Sequence, residues 1–374
     1  MKNTRQTNVN IHRDAWVEIN ISNLENNIME IKKNIPDGVK LLGVVKADAY
    51  GHGSVMLAPT ILASGVDMLG VASIDEGVDL RQAKIKCEIL VLGTVPVWSI
   101  ESAVQNDISI SVFTQEHLKA CKEAYERTGT KPKVHVKIDT GMNRIGVRAD
   151  EAVEFIKQVQ QSDFVDFKGI FTHLAAAEET DKTEEQFQKW DNVINNVNTQ
   201  GLLLHILNTA GSICYKKPNS NMCRIGISLY GLYPDFPQGI EFRMPKLKQL
   251  ISLKGRIANI HTAKPNEGVS YCHTYTTSEE RTIATVPLGY ADGVPRGLSN
   301  KITGKLNGKE VPQVGNITMD QMMFDVTGVE CTTGDVITLL DETKSIDEWA
   351  KILNTINYEL TCRLKVRLPR VYTR

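Results

Sequence analysis

Short apolar runs alternate with longer stretches of helical spacing from residue 41 to residue 229. The runs are 41–45 (LLGVV), 67–72 (DMLGVA), 88–93 (EILVLG), 107–112 (DISISV), 133–138 (KVHVKI), 167–172 (FKGIFT), 202–207 (LLLHIL) and about 222–229 (MCRIGISL). Each is a few residues long and set off by turn formers, the pattern of a fully buried strand. Helical spacing fills most of the gaps, over 73–83, 114–127, 150–160 and 182–198, and Ser73 with Glu76 forms a capping box. Strand and helix repeated about eight times predict a parallel barrel with helices outside. An open doubly wound sheet is the alternative. It is disfavoured because Gly51-His52-Gly53-Ser54-Val55-Met56, after the first run, lacks the third glycine of a dinucleotide turn.

The flanks read differently. Residues 1–13 form a polar lead-in expected to be disordered, and 15–21 (AWVEINI) alternates as an edge strand would. Ser22 and Glu25 read as a second capping box, opening a helix with Leu24, Ile28 and Ile31 on one face. Beyond about residue 245 the runs shorten and lie between Gly- and Asn-rich turns: 251–260, 281–286, 301–306, 311–314, 321–326 and 336–340, with one helix at 345–353. The expected fold class is therefore α/β, an N-terminal (β/α)8 TIM-type barrel over 14–245 followed by a mostly β domain over 246–374.

Composition narrows the function. A net charge of −1 over 374 residues, with both signs interspersed, gives no electrostatic reason to expect nucleic acid or a membrane surface as partner. No apolar run approaches the roughly 20 residues of a membrane span, and the polar start lacks a signal peptide's apolar core. Seven scattered cysteines without a C-x-x-C pair argue against a disulfide framework or structural zinc, so no metal is expected and a reducing cytoplasm fits.

The chemistry sits at the ends of the predicted barrel strands, where a β/α barrel builds its site. Lys46 closes the first run. A lysine there either snorkels to solvent or loses its proton and becomes a nucleophile towards carbonyls. Lys137, Asp139 and Arg144 follow the fifth run, His173 the sixth, Asn208 and Thr209 the seventh, and Arg224 lies in or beside the eighth. Five polar strand ends converging on one barrel mouth predict a site.

The stretch Lys46-Ala47-Asp48-Ala49-Tyr50-Gly51-His52-Gly53 resembles the pyridoxal-phosphate attachment motif of the alanine racemase family, and KIDTGMNRIG, GIFTHLAAAE, LNTAGS, CRIGISLYG, EGVSYCHTYT, PLGYADGVPR and GNITMDQ resemble its other motifs in the same order. The resemblance implies an isomerase that interconverts L- and D-alanine with pyridoxal 5′-phosphate and supplies D-amino acids for cell-wall peptidoglycan. It implies Lys46 as the cofactor anchor and one catalytic base, and Tyr271, from a partner subunit in a homodimer, as the base on the other face. It implies Tyr50, Thr209 and the N–H groups of Gly226 and Ile227 at the cofactor phosphate, and Asn208 as a further cofactor-binding residue. It further implies Arg224 at the pyridine nitrogen and His173 beside the ring. Arg144 then contacts the substrate carboxylate, and Met319 and Asp320 line the pocket from the second chain. Lys137 matches a lysine that is carbamylated in some members; an ordinary barrel lysine is the other reading. A hydrogen-bonded structural histidine at 173 and a core tyrosine at 271 are the bland alternatives.

The chain departs from the family pattern at Asn143, Thr209, Thr318 and Val366. Val366 stands where a tyrosine usually narrows the pocket, which opens volume and predicts that serine is accepted alongside alanine, with Thr318 offering a hydroxyl to it. The resemblance then extends to the serine/alanine racemases of vancomycin-resistance operons, so the chain would be cytoplasmic or the cytoplasmic domain of a longer membrane-anchored protein. Two competing functions share parts of this plan. A pyridoxal-phosphate amino-acid decarboxylase should carry a nucleophilic cysteine motif in the second domain, and neither Cys272 nor Cys331 sits in one. A single-barrel pyridoxal-phosphate binding protein should end after the barrel.

Overall fold

The computed structural model describes residues 12–217, 219–365 and 367–374. Most of the expected lead-in (residues 1–11) and Val366 lie outside the described residues. The chain divides into two compact units, Asn23–Lys248 and the residues through Ser22 together with Gln249–Arg374.

The first strand, β1 (Ala15–Asn20), alternates buried and half-buried positions as expected. It is not an edge strand, however, and it does not join the barrel. It pairs antiparallel with Ile251–Arg256 and parallel with Arg370–Thr373, inside the sheet of the second unit. A local pattern specifies which face of a strand is buried; its neighbours come from distant segments. The helix that follows, Ile21–Lys32, starts at Ile21, so Ser22 lies within its first turn and is not the cap. Leu24, Ile28 and Ile31 are buried along it as the spacing predicts.

Eight parallel strands build the barrel: β2 (Lys40–Val44), β3 (Met68–Val71), β4 (Glu88–Val91), β5 (Ile110–Val112), β6 (Lys133–Asp139), then, past the two-residue β7 (Val147–Arg148) on the end of β6, β8 (Asp166–Phe171), β9 (Leu203–His205) and β10 (Met222–Ile225). They pair in two arcs, β10-β2-β3-β4 and β5-β6-β8-β9. One seam closes through the parallel bridge Leu90–Ser109. The other closes through Asn221 N–H to Leu204 O at 2.9 Å and Arg224 N–H to Leu207 O at 3.1 Å. Because β10, the last strand, pairs with β2, the first, the sheet is a closed ring and the open alternative is excluded. The four expected helices appear as Ile74–Gln82, Gln115–Thr128, Ala152–Gln161 and Thr180–Ile194. Ser73 and Thr114 cap the first two, each side chain accepting a backbone N–H, worth about 1 kcal/mol apiece.

The second unit is mostly β. Its strands are β11 (Ile251–Arg256), β12 (Asn259–Ala263), β13 (Gly268–Val269), β14 (Tyr275–Thr276), β15 (Arg281–Val286), β16 (Thr303–Leu306), β17 (Lys309–Val314), β18 (Met322–Asp325), β19 (Val336–Leu340) and β20 (Arg370–Thr373). Nine strands form one sheet in the order β12-β15-β18-β17-β16-β19-β11-β1-β20, and β13 with β14 is a separate hairpin. Asp292, fully buried, accepts from Arg13 at 2.6 Å and from Arg367 at 2.7 Å. Arg13 is thus fixed by an ion pair, contrary to the disorder expected through residue 13. Burying a carboxylate is costly unless it is paired, and the two guanidinium groups supply the pairing.

Candidate active site

Lys46 lies just beyond β2, whose hydrogen bonding to β3 continues through Val45 N–H to Gly70 O at 2.8 Å. The next four residues do not turn as a right-handed helix. Ala47, Asp48, Ala49 and Tyr50 have φ of 52, 53, 53 and 55°, a single left-handed turn without a glycine in it. Each costs roughly 1–2 kcal/mol against the right-handed form, so the surroundings must hold the turn. Asp48 does part of this: its carbonyl accepts from Gly53 N–H at 2.9 Å and its Oδ1 from Ser54 N–H at 2.8 Å. Glu76 does another part. One carboxylate oxygen accepts from Ala47 N–H at 2.8 Å and the other from Ala72 N–H at 2.7 Å. The Ser73–Glu76 spacing predicts a capping box, but the Glu76 carboxylate is used on the lysine turn instead.

Arg224, on β10, is buried in the barrel and held from β9 and from the ends of β8 and β9, two neighbouring strands. Nη1 donates to His205 O at 2.6 Å and to His205 Nδ1 at 3.1 Å. Nη2 donates to Thr172 O at 2.6 Å, His173 Nδ1 at 3.1 Å and Ile206 O at 3.2 Å. Nε has no protein partner among the described residues. Burial lowers the guanidinium to about 10, which leaves it charged at any physiological pH.

The guanidinium fixes histidine tautomers, since it donates only. His205 Nδ1 must accept, so its proton is on Nε2, which lies 3.1 Å from His135 Nδ1. His135 in turn carries its proton on Nε2, a buried nitrogen without a partner among the described residues. Burial drives all three histidines towards the neutral form, with the Arg224 charge adding to it at His173 and His205, and His135 falls to about 3. Gly169 makes the room: a Cβ there would stand 2.6 Å from His135 Nδ1 and 2.4 Å from Leu203 O. Nothing local in the sequence marks His135, His205 or the Arg224 carbonyl cage, because a histidine between aliphatic residues looks like core.

Lys137 is buried with its amine 4.4 Å from the centroid of the Phe171 ring. Burial first, then the Arg224 and Arg144 charges, push its amine well below the ordinary lysine range, against the opposing pull of Asp139. Arg144 itself is exposed, on a loop that Asp139 Oδ1 organises by accepting from Gly141 N–H at 2.9 Å and Asn143 N–H at 3.0 Å. Gln186 donates to His173 O at 3.1 Å and to Thr140 Oγ1 at 2.8 Å, fixing the strand end that carries His173.

On the far side of the mouth, Asn208 caps the Thr209–Cys214 helix, accepting from Gly211 N–H at 2.9 Å. Thr209 Oγ1 accepts from Gly226 N–H at 2.9 Å. The expected phosphate donor at Gly226 is therefore already engaged, and an anion would have to share or replace Thr209 there. Tyr50 Oη lies against this backbone, and a Cβ on Gly226 would stand 2.6 Å from it. Ile227 follows directly, buried.

The donor set fits pyridoxal 5′-phosphate: one charged Nε–H without a protein acceptor, a hydroxyl-lined corner closed by a side-chain-free Gly226, and a lysine on a rigid turn. No group of His, Cys, Asp or Glu among the described residues could hold a metal ion.

In the second unit Tyr271 is 73% exposed, on a turn where Ser270, Cys272 and His273 all have positive φ. Asn316 pins that turn by donating to Tyr271 O at 2.7 Å. Met319 and Tyr290 are also exposed. Asp320 accepts from Arg367 Nη2 at 2.8 Å. Thr318 Oγ1 donates to Gln321 O at 2.8 Å and accepts from Gln321 N–H at 3.1 Å. Its hydroxyl proton is thereby used inside its own turn, so towards a substrate hydroxyl Thr318 Oγ1 is an acceptor.

The family models for "Alanine racemase, N-terminal domain" and "Alanine racemase, C-terminal domain" match residues 19–234 and 250–372. The chain is 40% identical to alanine racemase 2 of Oceanobacillus iheyensis over 97% of this chain and 94% of that protein. Among solved structures it is similar to the alanine racemase of Clostridium difficile 630, at TM-score 0.92 and 36% identity over 97% of this chain and 96% of that one. The alanine racemase of Bacillus anthracis with bound L-Ala-P is similar at TM-score 0.88 and 36% identity over 97% and 96% of the two chains.

Proposed function

We propose that this chain, which belongs to the alanine racemase family and is a pyridoxal 5′-phosphate-dependent racemase, moves the α-proton of alanine between two faces with Lys46 and Tyr271. When bound, the cofactor withdraws electrons from the α-carbon so that its proton can leave. Lys46 would hold the cofactor through its amine, and the same amine would take or give the α-proton on one face. A single base would return the proton mostly to the face it came from, so racemisation requires a second. Tyr271 is that group, contributed by a second copy of the chain. Its 73% exposure supports this reading, since a ring left open in one chain is free to enter another.

The observation that carries the reading is the Arg224 cage. Both terminal nitrogens are committed to barrel acceptors, which leaves Nε–H for the pyridine nitrogen. An arginine there donates a hydrogen bond but no proton. It therefore limits electron withdrawal and favours simple proton transfer over side reactions. Tyr50, Asn208, Thr209, Gly226 and Ile227 hold the phosphate end, with His173 beside the ring. Arg144 reaches the substrate carboxylate, and Met319 and Asp320 of the second copy border the pocket. Lys137, with its amine pushed towards the neutral form, adds carbon dioxide through its nitrogen and loses a proton; the carbamate anion then faces the Arg144 and Arg224 charges. A carbamate signal under 13C-labelled carbon dioxide checks this, and its absence in the Lys137 region removes the role.

Incubation of the holoenzyme with L-alanine followed by chiral separation tests the whole reading. D-alanine should accumulate to an equal mixture; no D-alanine at any enzyme concentration contradicts it. Serine as a second substrate rests on Val366 standing where the family resemblance implies a tyrosine.

A further inference from the structure

We infer that Glu76 is a positioning residue for Lys46: its carboxylate clips the left-handed turn that follows the lysine to the neighbouring strand end. This deepens the proposed role of Lys46 and rests on it. The two carboxylate oxygens serve different strands. Oε1 takes Ala47 N–H, directly after Lys46 and beyond β2, while Oε2 takes Ala72 N–H, beyond β3. Glu76 itself is held at the start of its helix by its own N–H, which donates to Ser73 Oγ at 3.3 Å. The carboxylate therefore ties the residue after the lysine to the residue after β3, independently of the Ser73 cap.

The reason a clip is needed is the backbone. Ala47 starts four consecutive left-handed residues, none of them glycine. A turn so disfavoured persists only where its surroundings over-determine it. Ala47 N–H is the donor nearest the lysine, and Glu76 supplies its acceptor. Only a carboxylate gives two acceptor oxygens for two diverging N–H groups; an amide would put an NH2 against one of them.

Three variants of the holoenzyme separate this role from helix capping and from general folding. Glu76→Gln should lower kcat on the order of 10-fold with KM for alanine little changed, and should speed loss of bound cofactor on dialysis with a fall in its visible absorption. Ser73→Ala, which removes the cap but leaves the clip, should lower melting temperature without moving the cofactor spectrum. Ala47→Gly added to Glu76→Gln should recover part of kcat and of cofactor retention, because glycine adopts a positive φ at little cost. Wild-type kcat, spectrum and retention in Glu76→Gln would overturn the inference, as would failure of Ala47→Gly to recover either property. Borohydride reduction and peptide mapping of the wild-type enzyme keep the two readings apart. Label on a residue other than Lys46 defeats the function proposed for the lysine. Label on Lys46 with indifferent Glu76 variants defeats the clip alone.

Discussion

The two units carry their functional side chains in opposite ways. In the barrel, Arg224 is buried and tied to five acceptors, His205 and His135 are locked in single tautomers behind it, and the lysine turn is clipped at both ends. In the second unit, Tyr271 and Met319 stand 73% and 53% exposed. The first arrangement is complete within one chain: the cost of orienting each group is met during folding, as preorganised electrostatics require. The second is a set of side chains whose own unit gives them little to pack against. Under the proposed function the exposed side chains are the share a second copy would supply, and the contrast separates variants expected to disable the barrel from variants expected to disable that share.

The sharpest break in that contrast is at the two bases. Lys46→Ala should reduce racemisation by on the order of 10,000-fold and abolish lysine-bound cofactor absorption. Tyr271→Phe should reduce racemisation by about 1,000-fold while leaving that absorption intact. In heavy water the Tyr271→Phe enzyme should still exchange the α-proton of one alanine enantiomer. Equal loss of exchange with both enantiomers would contradict separate bases on separate faces.

A smaller effect marks the buried side. His135, His173 and His205 are held neutral when folded, so their protonation constants lie below the unfolded value of 6.5. Below that pH the unfolded chain binds protons that the folded chain refuses, so stability present above about 6.5 is lost on acidification. The loss approaches about 1.4 kcal/mol per pH unit for each histidine. Denaturant melts between pH 7 and 5.5 should show this slope, and His135→Asn should make it shallower. A flat profile would mean that the three are not held neutral.

The smallest expected change concerns the choice of substrate. On the serine proposal, Val366→Tyr should lower kcat/KM for serine relative to alanine by about 10-fold, the order a change of about 1–3 kcal/mol gives. No detectable serine turnover in the parent enzyme would end the serine proposal.

Much of this was legible in the sequence, for local reasons. Apolar runs marked all eight barrel strands, Ser73 marked its helix, and polar residues stood at the run ends. What was hidden depended on distance in the chain. β1 reads as an edge strand until Arg370–Thr373, at the other end of the sequence, covers it. The left-handed turn carries no glycine at 47–50, so nothing local announces it. Glu76 reads as a cap residue because Ala47 lies 29 positions earlier in the chain. His135 and His205 sit in apolar runs, where their pairing appears only when β6 and β9 flank β8 in one sheet.

Complementation between two inactive chains tests the shared site most directly. Lys46→Ala and Tyr271→Phe chains, co-expressed in equal amounts and purified together, form mixed dimers in which one of the two sites has both bases intact. With random pairing, about a quarter of all sites are then whole, and alanine racemisation should return to about a quarter of the wild-type rate. Activity no greater than the sum of the two parents would contradict a site built from two copies.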